Sequence, residues 1–109
     1  MITTKLNKPF EDLYSNEFQQ KITEASNAIV LDVRTPDEFR NGKIPHSINM
    51  DIMSSSFIDQ IDSLDKSKTY FVYCRSGARS AQACGFMAGK GFRVYNLAGG
   101  ILNWKGKVI

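Results

Sequence analysis

The feature that most constrains the fold is a cysteine-containing loop between a buried strand and a helix. The apolar residues 70–73 predict a short buried strand, and the segment 80–88, rich in small residues, predicts a helix packed closely on a sheet. A turn that joins a strand to the following helix is where ligands bind in open α/β sheets. The residues of this active-site loop are Cys74, Arg75, Ser76, Gly77, Ala78 and Arg79.

The composition of the loop favours anion binding beside a reactive thiol. Gly77 allows backbone conformations that let successive N–H groups point at one anion, and the following helix N-terminus lowers a cysteine pKa. Arg75 and Arg79 add two cations suited to an oxyanion. The alternative, an inert buried Cys74 between two solvated arginines, accounts for fewer of these residues. Cys74 is therefore the predicted nucleophile, and residues 75–79 are predicted to bind its substrate.

Length and composition restrict the class of protein. The 109 residues fit one domain, 1–109, and 42% apolar residues are enough for one core. The net charge of +3 is spread along the chain, which favours small anionic substrates over nucleic acid. No apolar stretch approaches membrane-spanning length and the N-terminus has no hydrophobic signal core, so a cytoplasmic protein without membrane contact is expected.

The cysteines and the single histidine predict no metal site. Cys74 and Cys84 lack zinc-ligand spacing, and such sparse cysteines suit a reducing compartment. Cys84 falls within the helix after the loop, and we interpret it as a buried core residue rather than a resolving thiol. His46 follows Pro45 in a turn, where an exposed structural role is favoured over that of a base for Cys74.

The rest of the chain alternates strands and helices, which predicts a parallel α/β fold. Asp32 stands near the end of a buried strand and requires a partner. Thr35 and Glu38 have capping-box spacing around Pro36, and Glu38 could form an exposed pair with Arg34 that would contribute little. Strands are predicted near Lys5 or Phe10, at 28–33, at 48–50 and at 92–97; helices are predicted at 15–24 with Ser15 as N-cap, at 36–40, 57–64, 79–89 and 101–104, with a flexible turn at 98–100.

Three segments together resemble the single-domain rhodaneses, a family of sulfurtransferases. They are residues 31–49, residues 73–81 around the loop, and residues 95–104, and they span most of the chain in the expected order. Lys43 and His46 depart from the family, which often has histidine and glycine there.

The resemblance implies a three-layer rhodanese-like α/β fold. Its five-stranded parallel sheet has the order 3-2-4-5-1, with helices on both faces. In that order the end of the strand with Asp32 and Arg34 lies beside the Cys74 loop. Asp32 and Arg34 are therefore expected to support the loop. Either Asp32 accepts hydrogen bonds from loop or neighbouring N–H groups, or it is only a buried carboxylate paired with a nearby arginine for folding.

The resemblance also implies the chemistry. The Cys74 thiolate takes the outer sulfur of thiosulfate or of a persulfide donor, and the resulting persulfide passes it to cyanide or a thiol, including a protein thiol. Arg75 and Arg79 would bind the donor's sulfonate. Neither a metal nor an organic cofactor is expected.

Two other functions compete with this interpretation. Cysteine-dependent phosphatases and arsenate reductases have five residues between cysteine and arginine, whereas four separate Cys74 from Arg79 here. Tyr73 also stands where that class prefers histidine. A non-catalytic rhodanese-like binding module is the second alternative, and the presence of Cys74 with both arginines disfavours it.

Overall fold

The computed structural model describes residues 8–109, and its centre is a five-stranded, fully parallel sheet. Counted along the chain, the strands lie in the order 1-5-4-2-3, which is the implied order 3-2-4-5-1 read from the other edge and confirms that topology. The elements are β1 (Glu11–Leu13), α1 (Ser15–Glu24), β2 (Ala28–Asp32), α2 (Pro36–Arg40), β3 (Ile48–Asn49), α3 (Phe57–Asp62), β4 (Thr69–Tyr73), α4 (Ala78–Gly89), β5 (Arg93–Leu97) and a closing 3-10 turn (Ile101–Asn103), called here the final turn.

Successive side chains of β4 point to opposite faces of the sheet, and each face has its own core. Every residue of this central strand is buried, as the apolar run predicts. Tyr70 and Val72 belong to the core under α3 and α4, whereas Phe71 and Tyr73 belong to the core under α1. Phe18 of α1 packs edge-on against Phe71, with ring centroids 5.5 Å apart. Helices thus cover both faces of the sheet.

The ends of several elements differ from the sequence predictions. The edge strand begins at Glu11, directly after Phe10, while Lys5 lies outside the described residues. Ser15 is the first residue of α1 rather than its N-cap, because its hydroxyl accepts a hydrogen bond from the Lys105 backbone N–H at 2.8 Å. Tyr14 takes the cap position without a side-chain bond.

The capping box of α2 forms as predicted, since Thr35 and Glu38 exchange hydrogen bonds between side chain and backbone. Glu38 does not pair with Arg34; each side chain has a different ionic partner. Among the helices within residues 8–109, none is long and apolar enough to cross a membrane.

His46 is an exposed turn residue, in agreement with the structural interpretation, and its backbone is strained. Its φ of 66° makes it the one non-glycine residue with positive φ within residues 8–109. A side chain with a Cβ is unfavourable in this conformation. Glycine, which the resembling family often has here, would adopt it freely.

We expect His46→Gly to be more stable than His46→Ala by about 1 kcal/mol, because only glycine avoids the left-handed strain. For a domain of this size, the difference corresponds to a shift of about 4–8 °C in Tm. Thermal unfolding followed by circular dichroism would measure it. Equal melting temperatures for the two variants would show that the turn stores no such strain.

Candidate active site

The active-site loop leaves the carboxyl end of the central strand β4 and enters α4 at Ala78. Cys74 lies at the base of the loop and is 1% exposed. Arg75, Ser76 and Ala78 are exposed, so the loop presents a polar rim above a buried sulfur. The neighbouring strands β5 and β2 continue towards opposite edges of the sheet, which places Cys74 at a topological switch point.

The Cys74 sulfur accepts hydrogen bonds that favour its thiolate form. The Gly77 backbone N–H donates to Sγ at 3.1 Å, and the Ser80 hydroxyl donates at 3.4 Å. Burial raises the pKa of Cys74, but bonds from the Ser80 side chain and from the N–H groups of Ser80, Gly77 and Ser76 outweigh it and leave the pKa lowered. The sequence placed Ser80 in the first turn of a helix but did not indicate its hydrogen bond to Cys74, which depends on how the loop folds back over that turn.

Gly77 shapes the loop by adopting a φ of 105° at the N-cap of α4. A Cβ at this position would lie 3.2 Å from the Gly99 nitrogen and 3.4 Å from the Leu97 oxygen. The residue is therefore glycine for two reasons, the backbone conformation and the close approach of the segment after β5.

The carbonyl groups of the loop are bonded by the final turn. The Ile101 N–H donates to the Cys74 oxygen at 2.9 Å, and the Leu102 N–H donates to the Arg75 oxygen at 3.2 Å. Gly100, with a φ of 64°, allows this contact, because a Cβ there would lie 2.2 Å from the Arg75 oxygen. Gly100, in the segment predicted as a flexible turn, thus allows the following final turn to support the active-site loop.

Asp32 and Arg34 form a closed, buried ion pair. Arg34 donates to both carboxylate oxygens, with Nη2 2.7 Å from Oδ2 and Nε 3.1 Å from Oδ1, and its backbone N–H adds a bond at 2.9 Å. The same Nη2 donates to the Gly42 oxygen at 2.6 Å. Within the described chain no hydrogen bond joins Asp32 to residues 74–79, so a direct support of the loop by Asp32 is not observed.

The pair contacts the loop indirectly through Tyr73, the residue before Cys74. The Arg34 guanidinium lies 5.5 Å from the centroid of the Tyr73 ring, and the Val33 N–H donates to the Tyr73 oxygen. The phenol oxygen lies 3.1 Å from both the Ile44 nitrogen and the Ser47 hydroxyl. Burial raises the pKa of Tyr73 to about 12, so it remains neutral.

Arg79 forms an ion pair with Glu38, a residue that the sequence did not assign to the site. Its Nη1 lies 2.8 Å from Oε1 and its Nη2 lies 3.0 Å from Oε2, a two-bond fork across 41 residues of sequence. The hydrogen bond from Arg79 lowers the pKa of Glu38 to about 2, so the carboxylate is ionised. The capping-box spacing located Glu38 on α2 but gave no sign of this second partner.

Arg75 differs from Arg79 because it has no ion-pair partner among the described residues. Its exposed side chain lines one side of a cleft of about 420 Å³ beside the loop. We call this the side cleft; it is also lined by Arg34, Glu38, Asn41, Gly42, Ile101, Leu102 and Val108.

Cys84 has none of the features of Cys74. It is fully buried in the core under α4, and burial strongly raises the pKa of its thiol. This agrees with its interpretation as a core residue. Both cysteines are free thiols.

The structure thus defines the class as a parallel α/β protein with a buried thiol that accepts hydrogen bonds from a strand-to-helix loop. Comparison with known proteins specifies the family: the model for the rhodanese-like domain matches residues 15–107. The chain belongs to the rhodanese-like family.

Several relatives support this assignment. The chain is 33% identical over 94 residues to a sulfurtransferase of Allochromatium vinosum, covering 85% of this chain and 86% of that protein. It is 33% identical over 88 residues to a thiosulfate sulfurtransferase of Pseudomonas syringae, covering 80% and 81%. The structure of a rhodanese-related protein from Thermoplasma volcanium matches with a TM-score of 0.81 and 31% identity, over 92% of this chain and 98% of that one. These relatives support a rhodanese-type sulfurtransferase.

We expect Ser80→Ala to raise the pKa of Cys74, because the variant removes a hydrogen bond to the thiolate. Since the thiolate is the form that reacts, the midpoint of iodoacetamide alkylation should move to higher pH, and alkylation at neutral pH should slow. Cys84 does not interfere with this measurement, because the pKa of its thiol is strongly raised and little thiolate forms.

Ser76→Ala is the matched control, since it removes a hydroxyl from the same loop but keeps the backbone N–H that faces the sulfur. Its alkylation midpoint should stay at the wild-type value. Equal midpoints for Ser80→Ala and Ser76→Ala would exclude the Ser80 hydroxyl as a determinant of the Cys74 pKa.

Proposed function

We propose that this protein is a sulfurtransferase that carries sulfane sulfur as a persulfide on Cys74. The environment of the Cys74 sulfur carries the proposal: it is buried at the end of the central strand and accepts hydrogen bonds from Gly77 and Ser80. This environment favours the thiolate, which is the nucleophilic form. The sulfurtransferase names of the relatives support the same activity.

The first half-reaction loads sulfur onto the enzyme. The Cys74 thiolate attacks the outer sulfur of thiosulfate, a new S–S bond forms, and the donor's S–S bond breaks as sulfite leaves with the electron pair. An organic persulfide would react in the same way and release a thiolate. The N–H groups that face Sγ can stabilise the negative charge of the terminal sulfur in the product.

The second half-reaction returns the free enzyme. A nucleophilic acceptor, cyanide or a thiolate of a small molecule or protein, attacks the terminal sulfur, and the Cys74 thiolate is the leaving group. Protons and electrons balance in both steps without a metal or an organic cofactor. We further propose a cytoplasmic location, since a reducing compartment keeps the two free thiols reduced.

The loop residues have distinct roles in this scheme. The N–H groups of Ser76, Gly77 and Ser80 face the sulfur. Arg75 attracts an anionic donor to the rim, and Arg79 offers hydrogen bonds to it. The fork to Glu38 employs one N–H of each terminal nitrogen of Arg79. Since a guanidinium has five N–H donors, Arg79 retains donors for a ligand.

Phosphatase chemistry fits the loop less well. A tetrahedral oxyanion requires a wider ring of donors than one sulfur atom does, and only four residues separate Cys74 from Arg79. Gly77 N already lies within hydrogen-bonding distance of Sγ. The ring of N–H groups is therefore suited to a single added sulfur.

Thiosulfate treatment should increase the intact mass of the protein by one sulfur atom, because the persulfide is a covalent intermediate. Addition of cyanide should restore the original mass and release thiocyanate. Cys74→Ser should lose both results, whereas Cys84→Ala should keep them because the pKa of Cys84 is raised and its thiol is not nucleophilic. Hydrolysis of aryl phosphates by the wild type without any persulfide would favour the phosphatase instead.

Arg75→Ala should raise the KM for thiosulfate about tenfold, the loss expected for one charge-assisted contact at the rim. Steady-state thiocyanate formation would measure it. Arg93→Ala is the control, since it also removes one positive charge from an exposed side chain. Arg93 lies at the amino end of β5, whereas the active-site loop lies at the carboxyl ends of the strands. A similar KM for both variants would exclude Arg75 as a donor-binding residue.

A further inference from the structure

Glu38 is fixed in place from two directions. On one side its Oε1 accepts hydrogen bonds from the Thr35 N–H at 3.1 Å and the Thr35 hydroxyl at 3.2 Å. On the other side both carboxylate oxygens accept from Arg79. Both partners of the ion pair are 29% exposed, so the pair is only partly screened by solvent. These contacts hold the carboxylate at the rim of the active-site loop.

The pair between Glu38 and Arg79 lowers the net positive charge at the rim of the active-site loop, where a sulfur donor would bind. Glu38 balances the charge of Arg79, and Asp32 balances that of Arg34 inside the protein. Of the three arginines around the site, only Arg75 has no ionic partner within residues 8–109. The rim therefore carries one uncompensated cation rather than the two that the sequence suggests.

We propose that Glu38 is a specificity-determining residue that shifts donor preference from dianionic thiosulfate towards the singly charged persulfide of an organic thiol. This inference rests on the proposed sulfur transfer. Either donor must approach an anionic thiolate, and the second charge of thiosulfate makes that approach more dependent on nearby cations. By neutralising Arg79, Glu38 disfavours the dianion more than the monoanion.

The side cleft supports an organic donor. Apolar side chains of Ile101, Leu102 and Val108 line it next to the guanidinium of Arg75. Leu102 is 61% exposed, although large apolar side chains are more often covered. Thiosulfate has no carbon to place against these residues, whereas the carbon skeleton of a persulfide does.

The reaction with such a donor is balanced. The Cys74 thiolate attacks the terminal sulfur of the persulfide anion, a Cys74 S–S bond forms, and the S–S bond of the donor breaks. The organic thiolate leaves with the electron pair, and the enzyme retains a persulfide anion. Total charge is unchanged, and no external oxidant or reductant takes part.

The test compares kcat/KM for thiosulfate and for cysteine persulfide, which has one net negative charge, in the wild type and in Glu38→Gln. Glutamine keeps the capping-box interaction with Thr35, so α2 is retained. The ratio of thiosulfate to persulfide kcat/KM should rise about fivefold in Glu38→Gln, the size of one partly solvated charge interaction. Asp37→Asn is the control, because Asp37 is on the same helix but pairs with Arg40 at the surface, and it should leave the ratio unchanged.

Two further measurements test whether Glu38 acts through the charge of Arg79. The double variant Glu38→Gln/Arg79→Gln restores the balance of charge and should return the ratio towards the wild-type value. Alkylation of Cys74 by iodoacetamide should have a lower pH midpoint in Glu38→Gln, since the uncompensated Arg79 stabilises the thiolate. This readout requires no sulfur transfer.

The outcomes separate the two proposals. If the wild type accepts sulfur from neither donor, the proposed function is wrong, whatever the alkylation midpoints are. If Glu38→Gln is active but its donor ratio is unchanged or falls, the role of Glu38 in specificity is wrong while sulfur transfer stands. A fall would indicate that Glu38 acts only by orienting Arg79 for thiosulfate.

Discussion

The site depends on the hydrogen bonds that direct the carbonyl groups of its loop away from the sulfur. Ile101 and Leu102 donate to the carbonyl oxygens of Cys74 and Arg75, so the opposite side of the loop presents N–H groups. Without these two partners the carbonyl groups would be free to rotate towards an anion that they repel. A short turn at the end of the sheet thus determines the electrostatic character of a loop that lies more than twenty residues earlier in the chain.

The contrast between the two cysteines shows that hydrogen bonding, rather than burial, determines reactivity here. Cys74 and Cys84 are both almost completely buried and belong to the same core. The pKa of Cys84 is raised, whereas that of Cys74 is lowered because Ser80 and Gly77 donate to its sulfur. Desolvation alone would make either thiol inert. One helical turn of separation from the loop is enough to remove these donors.

The sequence predicted local features well and long-range pairings poorly. The strand–loop–helix around Cys74 and the capping box of α2 depend on residues close together in the chain, so their patterns are readable. The fork between Glu38 and Arg79 and the contact of Gly100 with Arg75 depend on strand order and on side-chain direction. The sequence cannot distinguish Arg75 from Arg79, because only the fold places the Glu38 carboxylate beside Arg79.

The final turn bonds to the loop through its backbone, so its side chains are free to change without loss of these bonds. Substitution of Leu102 changes the wall of the side cleft but leaves its N–H group, and therefore the bond to Arg75, in place. The lining of the cleft at position 102 can accordingly change while the hydrogen bonds that set the geometry around the sulfur stay in place. Gly100 has no such freedom, because any side chain there would displace the loop itself.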